Sequence, residues 1–163
     1  MDTMTSSGKA VVTLPTDKQI LIEREFDAPK ELVYKAYTTP ELIKRWWAGK
    51  RGEVTLVEVD LRVGGGWRYV MNASSGGFEV GFHGEYREIV PNERLVSTEV
   101  YEGMPDAEAL DTLTLTEENG RTKLSILVEH QKQEHRDGHI ESGMEGGMQE
   151  SMDALEEVAK SLG

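Results

Sequence analysis

The sequence predicts an α+β domain. A curved antiparallel sheet wraps around one long C-terminal helix, and two short helices are inserted near the start. Three observations carry this expectation. After Gly49 the apolar residues alternate with polar ones, the period-two pattern of strands with one wet face. The C-terminal stretch changes period: Ile140, Met144, Met148, Met152, Leu155, Val158, Ala159 and Leu162 fall three and four apart, one stripe at about 100° per residue. Between them and the N-terminus lie two helix starts opened by proline. One long helix must cover a long twisted sheet, so the sheet hides its apolar face by curling around that helix.

Residues 1–9 read as a loose polar tail and 10–163 as a single domain. Val11, Val12 and Leu14, then Ile20, Ile22 and Phe26, form two strand segments around Pro15-Thr16-Asp17. Asp27-Ala28-Pro29 opens the first short helix, whose buried side is Leu32, Val33, Ala36 and Tyr37. Thr39-Pro40-Glu41 opens the second with an N-cap threonine, proline in the first turn and an acid beside the helix dipole. Leu42, Ile43, Trp46 and Trp47 give it a bulky apolar edge.

In the first strand after Gly49, Val57, Val59, Leu61 and Val63 alternate with Glu58, Asp60 and Arg62, and Gly64-Gly65-Gly66 ends it. Trp67, Tyr69 and Met71 share one face of the next strand. A turn at Ser74-Ser75-Gly76-Gly77 leads to a strand bearing Phe82, Gly84 and Tyr86. Pro91-Asn92-Glu93 turns again into Leu95 to Tyr101. An acidic loop is expected from Glu102 to Asp111. Thr112 to Thr116 and Lys123 to Val128 form a hairpin through Asn119-Gly120.

Composition narrows the function classes. The 163 residues carry 30 acidic and 18 basic side chains, a net charge of −12. Nucleic acids and anionic membranes are poor partners for such a chain, because both need clustered positive charge. There is no cysteine, which removes disulfides, thiolate nucleophiles and cysteine-ligated metals. The N-terminus lacks the basic and apolar regions of a signal peptide, and no apolar run approaches the roughly 18 residues of a membrane span. A cytoplasmic location is the expectation, with no membrane insertion, as a monomer or homodimer.

The segments FDAPKELVYKAYTTPELIKRWW, VDLRVGGGWRYVM, GEYREIVPNERLVSTEVY and GMEGGMQESMDAL, in that order, resemble bacterial relatives of the C-terminal domain of the activator of Hsp90 ATPase. Those proteins belong to the START-like, or SRPBCC, superfamily. The resemblance runs from about Val11 to Leu162. It implies the helix-grip (START/Bet v 1-like) fold, with a hydrophobic cavity between sheet and C-terminal helix and a mouth bordered by the two short helices. Members of the superfamily include polyketide cyclases, proteins that sequester toxic metabolites, lipid carriers and co-chaperone domains.

Candidate site residues follow. Trp67, Tyr69, Met71, Phe82 and Tyr86 on the sheet, beneath Met144, Gly147, Met148 and Met152, would line the cavity, with Trp46 and Trp47 at its mouth. Such walls suit a small apolar or aromatic molecule. Core filling is the competing role for each of them. Gly147 has two explanations, room for a ligand or close contact with the sheet. His83 alternates away from Phe82 onto a rim or exposed position, yet is the best acid–base candidate of the region. His135 and His139 have helical metal spacing, but the glutamate of HExxH is missing. Asp60 and Arg62 read as a solvated pair. The triple glycine has no following Gly-Lys-Ser/Thr and reads as a sheet kink.

The resulting expectation is a non-catalytic domain binding a small hydrophobic molecule, with no cofactor and no metal. Alternatives are a cyclase- or hydrolase-like enzyme using the same cavity, its catalytic residues unknown, and a module that binds a chaperone or another protein.

Overall fold

The computed structural model describes residues 9–74 and 76–163. The chain runs β1 (Val11–Thr13), β2 (Gln19–Phe26), α1 (Lys30–Thr38), α2 (Pro40–Ile43), β3 (Gly52–Val59), β4 (Gly66–Ala73), β5 (Glu79–Val90), β6 (Arg94–Tyr101), β7 (Ala109–Glu118), β8 (Arg121–Glu129), α3 (Gln133–Glu141) and α4 (Met144–Ser161). The eight strands form one curved, open sheet in the order β1-β2-β8-β7-β6-β5-β4-β3. Every neighbouring pair is antiparallel. This is the helix-grip α+β fold.

The chain order explains where the short helices lie. β2 sits near one edge and β3 is the other edge, so α1 and α2 carry the chain across the opening of the sheet. Irregular pairing at Val54/Leu56 in β3 and Tyr86/Glu88 in β5 adds local bend. Asn119 (φ 56°) and Gly120 (φ 77°) supply the two positive φ angles of a tight β7–β8 hairpin.

The core lies between sheet, α1 and α4. Met152, Leu155, Val158 and Ala159 of α4 meet Val33 and Ala36 of α1 and Ile20, Ile22, Leu124 and Ile126 of the sheet. Each large aliphatic buried there contributes about 1.5–3 kcal/mol of transfer free energy. One charge enters this layer. Arg24 of β2 is 1% exposed, lies 4.7 Å from the Phe26 ring centre and reaches Glu156 (2.9 Å) and Asp153 (3.2 Å) on α4.

Three expectations are corrected. The long C-terminal helix is two helices, because Gly143 adopts φ +84°, ψ +24° and ends the first. Ile140 therefore belongs to α3, and the methionines to α4. Leu61 and Val63 are not strand residues. Asp60 N–H donates to the Gly66 carbonyl (2.9 Å) and closes a hairpin, leaving both side chains exposed, Val63 at 63%. The acidic loop is shorter than expected, since β7 begins at Ala109 and takes in Asp111, paired with Ser97 and Val128. Asp is disfavoured in strands, and pairing on both sides overrides that preference. Most of the expected N-terminal tail, and Ser75 of the β4–β5 turn, lie outside the described residues. Among the described residues no helix is long and apolar enough to cross a membrane.

Candidate functional site: an aromatic pocket with an acidic wall

A pocket of about 180 Å³ opens between the α1–α2 segment and the sheet. Helix α1 contributes Tyr37, and the α2–β3 connection contributes Trp46, Trp47 and Arg51. Trp67 and Tyr69 come from β4, and Phe82 and Tyr86 from β5. Ser97 and Glu99 of β6 and Asp111 of β7 complete its polar part.

The aromatic walls brace one another. Trp46 Nε1 donates to the Ala36 carbonyl (2.9 Å), and its ring lies 5.2 Å from Tyr37. Trp47 meets Tyr69 (5.4 Å) and Phe82 (5.8 Å) edge-on, the preferred geometry of aromatic pairs. Trp67 lies tilted against Tyr69, with ring centres 4.8 Å apart, and donates from Nε1 to the Thr98 carbonyl (3.2 Å). The rings are therefore held before anything binds.

Strand register brings the acids inside. Asp111 shares the face of Leu113 and Leu115, both buried. Glu99 lies two residues beyond Ser97, the cross-strand partner of Asp111. Asp111 is half-buried and lines the pocket. Its Oδ1 has no hydrogen-bond partner among the described residues. Burial, then the Glu99 charge, then a hydrogen bond with Glu99, push the Asp111 carboxyl well above the usual carboxylate range. Burial likewise raises the phenols of Tyr37, Tyr69 and Tyr86, which stay neutral hydroxyl donors.

Near the acids stands a histidine pair. His130 Nε2 and His139 Nδ1 are 3.1 Å apart. Burial, and then His139, lower His130 to about 4. Burial lowers His139 too, and the Glu99 charge opposes the fall at both rings. Arg51 is anchored elsewhere, donating to the carbonyls of Ala48 (3.3 Å) and Trp47 (3.2 Å) and to Ser151 Oγ (3.4 Å).

The sequence-based candidates divide. Trp46, Trp47, Trp67, Tyr69, Phe82 and Tyr86 come together in the pocket. Met71 is buried between Val54 and Val80 outside the lining. On α4, Met152 is buried in the core, Met144 and Met148 pack half-buried against it, and Gly147 lies against Arg51. None of these four lines the pocket.

His83 is 47% exposed, with Nδ1 2.8 Å from Glu102. Glu102 also accepts two hydrogen bonds from Arg68 at 2.9 Å each. Arg68, followed by His83, outweighs some desolvation and holds the Glu102 carboxyl down at about 2. Asp60 and Arg62 form an exposed pair at 2.9 Å. Among the described residues no three His, Cys, Asp or Glu side chains are placed to hold a metal ion.

Sequence reasoning missed Glu99, Asp111, Tyr37 and Arg51 as lining. One signal was present for Asp111, because period-two counting back from Leu115 and Leu113 lands on it.

The chain from residue 27 to 160 matches the family model described as activator of Hsp90 ATPase homolog 1-like protein. No curated protein matches. Solved structures do. A crystal structure of a Rhodobacter sphaeroides protein is similar at 25% identity over 94% of this chain and 99% of that chain, with a TM-score of 0.86. A Nitrosomonas europaea protein is 26% identical over 91% and 98%, with a TM-score of 0.81. A Chromobacterium violaceum protein is 26% identical over 87% and 97%, with a TM-score of 0.74. An eight-stranded sheet gripping C-terminal helices, together with a family match over most of the chain, leads to one conclusion: this protein belongs to the activator of Hsp90 ATPase homolog 1-like family.

Proposed function

We propose that this domain binds a small aromatic or apolar molecule, about the size of one ring with a short substituent, in the pocket between the α1–α2 segment and the sheet. The observation that carries the reading is a braced aromatic enclosure of about 180 Å³. An apolar cavity of roughly 150 Å³ is enough to hold benzene. Pre-formed walls lower the ordering cost of binding, and the tyrosine hydroxyls and acids supply the few polar groups that orient a ligand.

The test is a titration with benzyl alcohol followed through the indole N–H resonances of Trp46, Trp47 and Trp67. Saturable shifts confined to these signals and their neighbours are expected. Unmoved resonances at millimolar ligand would end the proposal. Native mass spectrometry of protein from its own host would then look for the resident molecule.

A second reading is favoured by Asp111. Burial and the Glu99 charge push the Asp111 carboxyl well above the usual carboxylate range, the direction a general acid needs, so an enzyme promoting proton transfer on an apolar substrate fits the same pocket. That reading requires turnover that disappears in Asp111→Asn while ligand binding persists.

A further inference from the structure

Taking the pocket as a ligand site, we infer that its ligand carries a basic nitrogen, seated as an ammonium group between the aromatic rings and the Glu99–Asp111 carboxyl pair. Four observations converge on this. The two acids lie in the lining itself, on adjacent strands, rather than on the outer face of the sheet. Asp111 Oδ1 is buried without a hydrogen-bond partner among the described residues, and an enclosed acceptor left open in this way is an unmet demand for a donor. Most of the remaining wall is tryptophan, tyrosine and phenylalanine, whose ring faces attract cations as well as apolar groups. The whole chain carries −12, a field that draws cations toward it and repels anions.

The other charged and titratable groups around the pair are consistent with this polarity. The phenols of Tyr37, Tyr69 and Tyr86 are neutral. His130 and His139 are held toward their neutral forms. Arg51, the one guanidinium of the lining, is tied to Trp47, Ala48 and Ser151 and has Glu150 as its opposing charge. Without ligand, burial and the Glu99 charge both disfavour ionisation of Asp111. An arriving ammonium offsets both effects and offers charged donors to the carboxyl pair.

Three single-ring probes of equal size separate the possibilities: benzylamine, benzyl alcohol and benzoate, compared by calorimetry near neutral pH at low salt. Benzylamine is expected to bind about tenfold or more tighter than benzyl alcohol, the yield of one charge-assisted hydrogen bond, with benzoate weakest. In Asp111→Asn the ratio of benzylamine to benzyl alcohol affinity should fall to near parity. Glu99→Gln provides the same comparison if the first variant folds poorly. Equal affinity of wild-type protein for amine and alcohol overturns this inference and leaves the pocket as a ligand site. Failure of all three probes to bind at millimolar concentration removes the pocket reading and the inference with it.

Discussion

Gly147 of α4 rests directly against the guanidinium of Arg51, so close that a Cβ there would lie 2.7 Å from Nη1 and 2.8 Å from Cζ. The glycine thus makes room for a side chain rather than for a ligand or the sheet. Arg51 in turn touches the Trp47 carbonyl, and Ser151 Oγ donates to the same oxygen at 2.6 Å. Helix α4 therefore reaches the pocket indirectly, through Arg51 and the chain at Trp47. Gly147→Leu should displace Arg51, cost about 1–3 kcal/mol by overpacking and weaken benzyl alcohol binding. Gly147→Ala should lie within about 1 kcal/mol of wild type, since the gain in helix propensity of about 1 kcal/mol offsets the disturbed contacts. Urea titration of both variants checks this.

Arg24 offers a test of a buried charge. Its Nε and Nη1 lack partners while Nη2 serves both Asp153 and Glu156. Replacing a whole buried ion pair by apolar side chains is often neutral or stabilising, but removing one partner alone leaves the other charge uncompensated. Arg24→Met keeps the volume but leaves Glu156 without its cation and should cost about 3 kcal/mol, whereas Arg24→Ala adds a void and should cost about 1–2 kcal/mol more. Equal loss in both would mean that the charge itself is essential.

Asp111 should burden the fold at neutral pH. Its pKa is raised in the folded state, so the folded protein favours the protonated form. The stability this contributes is complete below the unfolded value of about 3.9 and is lost as pH rises through the folded value. Asp111→Asn should therefore raise the thermal midpoint near pH 7, by about 2–4 °C for each kcal/mol recovered, and the gain should vanish near pH 4. A gain independent of pH would assign the effect to packing.

His130 works in the opposite sense. Its pKa falls from 6.5 to about 4, so its contribution is present above 6.5 and is lost as pH drops through that window. Because the ring is only partly buried, about 1–2 kcal/mol is expected rather than the full linkage value. His130→Asn should flatten the acid side of the stability curve between those limits. Chemical denaturation at several pH values separates this slope from that of Asp111.

Much of the fold was legible because period, proline and glycine each have a mechanical meaning. Alternation located the strands, Thr39-Pro40-Glu41 located α2, and Asn119-Gly120 located a hairpin. The break at Gly143 was not legible. Its positive φ interrupts a run of apolar residues whose spacing continues unchanged from Ile140 to Met144. Half the candidate site was visible as same-parity aromatics on β4 and β5. Glu99 was hidden because β6 is apolar on both faces, with Val96, Thr98 and Val100 buried alongside Leu95. Parity there does not say which side looks inward. The methionine ladder misled for a simpler reason: helical spacing shows which residues share a stripe, but not what that stripe touches.

The division of the C-terminal helix at Gly143 leaves α3 with no fully buried residue, held to the body by contacts such as Arg136 Nη1 to the Thr16 carbonyl (2.7 Å) and His139 to His130. Helix α4, by contrast, is anchored through Met152, Leu155, Val158 and Ala159. Two adjacent helices thus belong to different units of cooperative opening. Amide hydrogens of α3 should exchange with solvent through a local event, with protection factors that fall on acidification as the imidazoles take up protons, while those in the middle of α4 wait for global unfolding. A segment that can lift without disturbing the core would then lie beside the acidic wall of the pocket.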